Sequence, residues 1–200
     1  MAWQPDYVSV GDLKAHMRID DDLDDVQLAV AITSASRAID RACLRQFGVV
    51  ATAEARTYRA TWDRNEGLWC SAIDDLMTTT DLVVTVDGAA VSASLYRLEP
   101  LNAAAEGWPW VELFTDSATT PTLGQGQCTV AVTARWGWTS VPTTIKQATL
   151  IQAAHFFKRR EATFGVAGSP DLGNELRLLA KVDPDVDVMV KTYRRRQVSF

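Results

Sequence analysis

The chain has 200 residues, enough for one ordinary domain or for one domain carrying a large insertion. Apolar residues make up 47% and charged residues 22%, a soluble globular balance, and the net charge of −5 excludes wholesale coating of nucleic acid, which needs a dominant positive field. No apolar run approaches the roughly 18 residues of a membrane helix, and the opening MAWQPDYVSV lacks the regions of a secretory signal, so synthesis in the cytosol is expected.

Ser9 followed by Asp12 forms a capping-box pattern and predicts a short helix to about Arg18. The acidic stretch Asp20 to Asp25 has the composition of a calcium loop but not its spacing. Asp25 stands where a glycine is needed and Ala31 where the bidentate glutamate belongs, so a turn and an acid-rich helix start are expected. A long helix follows from about Asp24 to Gln46, with Leu28, Ile32, Ala35, Ile39, Ala42 and Cys43 on one stripe and Gly48 as its stop.

From Val49 the composition shifts to Thr, Val, Tyr and Trp. Residues 55–62, 67–73, 82–86, 91–98, 108–114 and 127–136 read as short antiparallel strands separated by turn residues. Asp87-Gly88 after Leu82–Val86 is the strongest hairpin signal among them.

The corner Trp136-Gly137-Trp138 and then Pro142 introduce a helix predicted from Thr143 to about Glu161. Its apolar residues fall on several sides: Leu150, Ala153, Ala154, Phe157 and Phe164 on one stripe, Ile145 and Phe156 on another, Ala148 and Ile151 on part of a third. Either a central core helix or a subunit contact explains that pattern. Ile145, Ala148, Ile151, Gln152 and Phe156 are the candidate contact residues, and Trp136, Gly137, Trp138 and Pro142 the candidate structural corner. A loop at Gly165–Gly173, one or two helical turns within Glu175–Lys181 and a last helix from Asp185 to Tyr193 precede the basic tail Arg194-Arg195-Arg196. The expected class is α+β: a bundle of four or five helices with an inserted antiparallel β module of sandwich or barrel type, divided as residues 1–49, 50–134 and 135–200.

Catalytic chemistry finds no support, and neither metal nor cofactor is expected. His16 and His155 are isolated, and Cys43, Cys70 and Cys128 are far apart, as buried free thiols would be. No nucleophile elbow occurs, Asp74-Asp75 point to opposite faces of a strand or lie in a turn, and Gly124-Gln-Gly126 lacks the third glycine of a nucleotide fingerprint. Gly165-x-x-Gly168 has the form of a nucleic-acid clamp without its flanking basic residues. The tryptophans at 62, 69, 108, 110, 136 and 138 read as core and interface anchors more than as a stacking platform. Tyr193-Arg194-Arg195-Arg196 reads either as a solvated tail or as a site for carboxylates or phosphates, which keeps a nucleic-acid-binding module open as an alternative. A glycan-binding or enzymatic β insertion is the third reading.

Two stretches together resemble a known family: Tyr7-Val-Ser-Val-Gly-Asp-Leu-Lys-Ala-His-Met-Arg-Ile19 with the acidic turn and long helix, and Arg135-Trp-Gly-Trp-x-x-Val-Pro142 leading into Ile145–Leu150, Lys158-Arg-Arg160 and Gly165-Val-Ala-Gly168. In this order they are similar to the head-to-tail connector (adaptor) proteins of long-tailed double-stranded DNA bacteriophages. That resemblance implies a structural virion protein without enzymatic activity, made in the host cytoplasm and placed in the neck. Twelve copies would form a ring under the portal protein, and a monomeric state of the free chain is compatible with that. The ring would extend the channel for passing double-stranded DNA and dock a stopper or tail-completion protein. The resemblance also implies that Tyr193, Arg194, Arg195 and Arg196 contact the portal, while residues 50–130 depart from the family's minimal helical form.

Overall fold

The computed structural model describes residues 4–124, 127–159, 166–167, 176–177 and 183–195. Among these, the helices are α1 (Val10–Met17), α2 (Asp25–Cys43), the short α3 (Ala103–Glu106), α4 (Thr143–Arg159) and α5 (Pro184–Lys191). The chain is α+β and divides into two compact units, one of residues up to Phe47 with Val141–Arg195, the other of Gly48–Ser140.

In the helical unit, α1 starts where its capping box demands. The Asp12 N–H donates to Ser9 Oγ at 3.1 Å, and the Ser9 N–H donates back to the Asp12 carboxylate at 2.9 Å. Leu13, Leu28, Ala31, Ile32, Ala35, Ala153, Ala154 and Phe157 form one apolar cluster joining α1, α2 and α4. α2 ends earlier than its stripe suggests. Leu44 takes a left-handed conformation (φ 55°), and the N–H of Arg45 returns to the Asp40 carbonyl, closing the helix at Cys43 instead of running on toward Gly48. α5 has Asp183 as N-cap and Pro184 in its first turn, where a missing N–H costs nothing. Leu176–Arg177, expected within a helical turn, instead pairs antiparallel with Val166–Ala167. Pairing gives both segments backbone partners that an isolated helical turn, with its costly nucleus, would lack. Phe164, Arg196 and the rest of the loop and turns read between Gly165 and Lys181 lie outside the described residues.

The other unit is a seven-stranded antiparallel sheet, curled as a half-barrel. Its strands are β1 (Glu54–Asp63), β2 (Leu68–Leu76), β3 (Val83–Val86), β4 (Ala89–Ala90), β5 (Tyr96–Glu99), β6 (Trp110–Thr115) and β7 (Cys128–Ala134), in the order β4-β3-β7-β1-β2-β6-β5. β1 explains part of the curl: residues 54–60 pair with β7, whereas residues 61–63 pair with β2 on the other side. The hairpin between β3 and β4 turns on Asp87 (φ 51°) and Gly88 (φ 81°), both left-handed as a tight primed turn requires. The expected strand at 91–98 is shorter than its composition suggested. Ala93–Leu95 form a 3₁₀ turn, and only Tyr96–Glu99 enter the sheet.

Candidate interaction surface

α4 answers first, because its apolar residues posed the question. Ile145, Ala148 and Gln152 are fully buried within the helical unit, so they present nothing to a neighbouring molecule. Their burial has a local cause. α1, α2 and α5 all pack on α4, and the Gln152 side-chain oxygen accepts the N–H of Asp183 at 3.2 Å, holding the start of α5. Of the five contact candidates, Ile151 and Phe156 keep partial exposure.

The uncovered aliphatic surface lies on α2 and the turn before it. Leu23, Val26 and Val30 are 87%, 74% and 62% exposed, although each would gain about 1.5–3 kcal/mol from full burial. Val26, Val30 and Ala31 of α2, with Phe156 and Phe157 of α4, line an apolar groove of about 490 Å³. Carboxylates rim this end. Asp21 and Asp22 are exposed, and Lys14 binds Asp22 as well as Asp25, the latter at 3.0 Å. The turn is therefore an acidic helix start in which one lysine pairs with two of the carboxylates. Among the described residues no group of three His, Cys, Asp or Glu side chains is placed to hold a metal ion. The sequence pattern did not single out this face: Leu28, Ile32 and Ala35 gave α2 an inward stripe, and Val26 and Val30 sit on the opposite side.

At the far end of α2 the chain leaves the unit under tight control. Tyr193 meets Phe47 edge-to-face with ring centroids 5.8 Å apart, and the Arg195 N–H donates to the Cys43 carbonyl at 2.8 Å. Phe47 in turn meets Tyr7 at 5.7 Å, and its N–H donates to the Tyr7 hydroxyl at 3.0 Å. That hydroxyl donates to Asp40, which also pairs with Arg37 Nε at 3.1 Å. Burial raises the pKa of both Tyr7 and Asp40; the Asp40 bond adds to it for Tyr7, while Tyr7 and Arg37 work against it for Asp40. Arg194 is exposed beside this anchored knot.

The corner residues serve the β unit. Trp136 and Trp138 are each 2% exposed, and their indole N–H groups donate to the Glu54 carbonyl and to Asp75 Oδ2, both at 2.8 Å. Asp75 is itself buried, while its neighbour Asp74 faces the other side and accepts from Arg56 at 2.8 Å and Tyr58 at 2.9 Å. The pair is thus structural, one carboxylate per face. Gly137 has φ 109° and sits so close to Gly48 that a β-carbon there would lie 2.0 Å from the Gly48 carbonyl oxygen. The tryptophans pair edge-to-face with aromatic neighbours, Trp62 with Trp69 at 5.3 Å and Trp108 with Trp138 at 5.6 Å. Cys43 and Cys70 are buried free thiols pushed up to about 12 by desolvation, and Cys128 is partly exposed. Neither of the two buried thiols is placed as a reactive nucleophile.

Comparison with protein families finds no match, and comparison with curated proteins finds none either. Solved structures do match. A chain from the neck of an empty GTA particle, computed with C6 symmetry, is 16% identical with a TM-score of 0.57, covering 100% of this chain and 95% of that one. A chain from the neck of a native GTA particle, computed with C12 symmetry, is 18% identical with a TM-score of 0.52 at the same coverage. A third, from the virion of a native gene transfer agent (GTA) particle, is 20% identical with a TM-score of 0.53, covering 96% and 92%. The helical and the sheet residues alike therefore share their fold with chains from the neck of a gene transfer agent particle.

Proposed function

We propose that this chain is a structural, non-enzymatic subunit of a phage-like neck: a head-to-tail adaptor whose twelve copies form a ring under the portal. The ring extends the channel for double-stranded DNA and docks the stopper or tail-completion protein. The observation that carries this reading is the likeness to neck chains over the whole sequence, sheet unit included, one of them from a particle computed with C12 symmetry. The order of sequence features that resembles the connector family supports it independently.

Two features support particular roles within the ring. The backbone is anchored at Tyr193 and Arg195, so the exposed Arg194 between them is held at a fixed point, as a contact with a portal needs. Guanidinium groups would there engage carboxylates of the portal in charge-assisted pairs. The net charge of −5 suits a channel that must release DNA, since phosphates are repelled by negative surfaces. Ile151 and Phe156 remain the candidate contacts from α4. Mixing the purified chain with portal rings and imaging the mixture tests the proposal. Ring-on-ring complexes are expected, and their absence at high protein concentration overturns it.

A further inference from the structure

Resting on the ring reading, we propose that neighbouring copies join head to tail through the two ends of α2: the acidic, aliphatic end of one copy receives the basic, aliphatic end of the next. A ring with one kind of subunit needs a heterologous contact, in which two different patches of the same chain are complementary. The helical unit carries two such patches. At the start of α2 stand the exposed Leu23, Val26 and Val30, the two valines lining the groove with Phe156, and the exposed Asp21 and Asp22 precede Leu23 in the turn. At its other end, about 27 Å along the axis by helical rise, the exposed aliphatics are Leu44 and Val188, and the exposed cations Arg41, Lys191 and Arg194 outnumber the exposed Asp185 and Asp187 of α5. α5 is fixed to that end, because the Cys43 thiol donates to the Val190 carbonyl at 3.7 Å.

Charge decides the occupant. An aliphatic surface preceded by a turn of exposed carboxylates disfavours a second acidic surface and favours an aliphatic one with an excess of cations. Within the helical unit the opposite end of α2 supplies that surface. An antiparallel pairing of two α2 helices would satisfy the same charges, but it closes as a dimer and leaves no free end to continue a ring.

The test uses chains with Cys128→Ser to remove the partly exposed thiol, carrying Val30→Cys, Val188→Cys or both, assembled on portal rings and treated with a short bis-maleimide. Both positions are exposed, so thermal melts should match that of the parent. The double variant should give a covalent ladder rising through successive oligomers, and each single variant none. Rings of normal appearance that give no ladder, or products that stop at dimers, overturn the head-to-tail contact while leaving the ring reading intact. Failure of the unmodified chain to form any ring on portals overturns the ring reading and this contact with it. As a second arm, Val26→Asp with Val30→Asp should lower ring formation at least about tenfold. Unchanged assembly by that folded variant also refutes the contact.

Discussion

Replacing Gly137 by alanine should unhinge the corner that closes the β unit. The residue is held at φ 109°, where an L side chain is strained, and the new β-carbon would meet the Gly48 carbonyl oxygen at 2.0 Å. Strain of this kind costs about 1–3 kcal/mol. Relieving the overlap means parting residues 48 and 137, and two backbone hydrogen bonds depend on their approach while a third holds Gly137 to β2. These run from Trp138 N to Gly48 O at 2.8 Å, from Val50 N to Trp136 O at 2.9 Å and from Gly137 N to Asp75 O at 2.6 Å. Losing two of them at about 1 kcal/mol each brings the total to about 3–5 kcal/mol. Every tryptophan except Trp3 lies between residues 62 and 138, so indole emission during urea unfolding reports on this unit. With a slope of about 2 kcal/mol/M the midpoint should fall by about 2 M. A shift below about 0.5 M at unchanged slope would refute the argument that only glycine fits here.

Asp75→Ala should cost about 2–3 kcal/mol in the same assay, because it strands the buried Trp138 indole N–H; Asp75→Asn, which can still accept that bond, should cost less. Ser9→Ala should remove about 1 kcal/mol through the lost cap of α1, read as a lower thermal midpoint of the helical signal in circular dichroism. Asp40 has a raised folded pKa, chiefly from burial, so the folded state holds its proton more tightly than the unfolded chain. Its contribution to stability therefore falls as pH rises from the ordinary carboxylate value to the folded one. Asp40→Asn should lack that slope, so the gap between the two stability–pH curves should change across this window, and parallel curves would contradict the assignment. In the native protein at pH 8, Cys43 and Cys70 should resist a thiol reagent until unfolding, since burial holds both near 12, and Cys128 should react first.

Local chemistry was the legible part of this sequence. The Ser9–Asp12 box and the Asp87-Gly88 turn name their own conformations, because each pattern satisfies a specific backbone need within a few residues. The glycine between two tryptophans at the corner was visible as well, although its reason, the approach of Gly48 from 89 positions away, was not. The end of α2 escaped because Leu44 takes a left-handed conformation that propensity disfavours in a branched side chain. The interaction surface was the least legible. Apolar residues on many sides of α4 suggest a surplus for sister copies to cover, yet periodicity cannot count how many helices of the same chain pack on it. Three do, and Ile145, Ala148 and Gln152 are consumed by them. The unclaimed aliphatics stand instead on α2, where Val26 and Val30 were masked by an otherwise clean inward stripe.

The number of copies bound to one portal ring, obtained by weighing the purified complex by native mass spectrometry, bears on all of this at once. Neck assembly predicts a discrete complex with twelve copies of the 22.0 kDa chain per portal ring, matching the C12 symmetry reported for the related neck. A portal ring that carries no copies, or a scattered and unsaturable number of them, would contradict it.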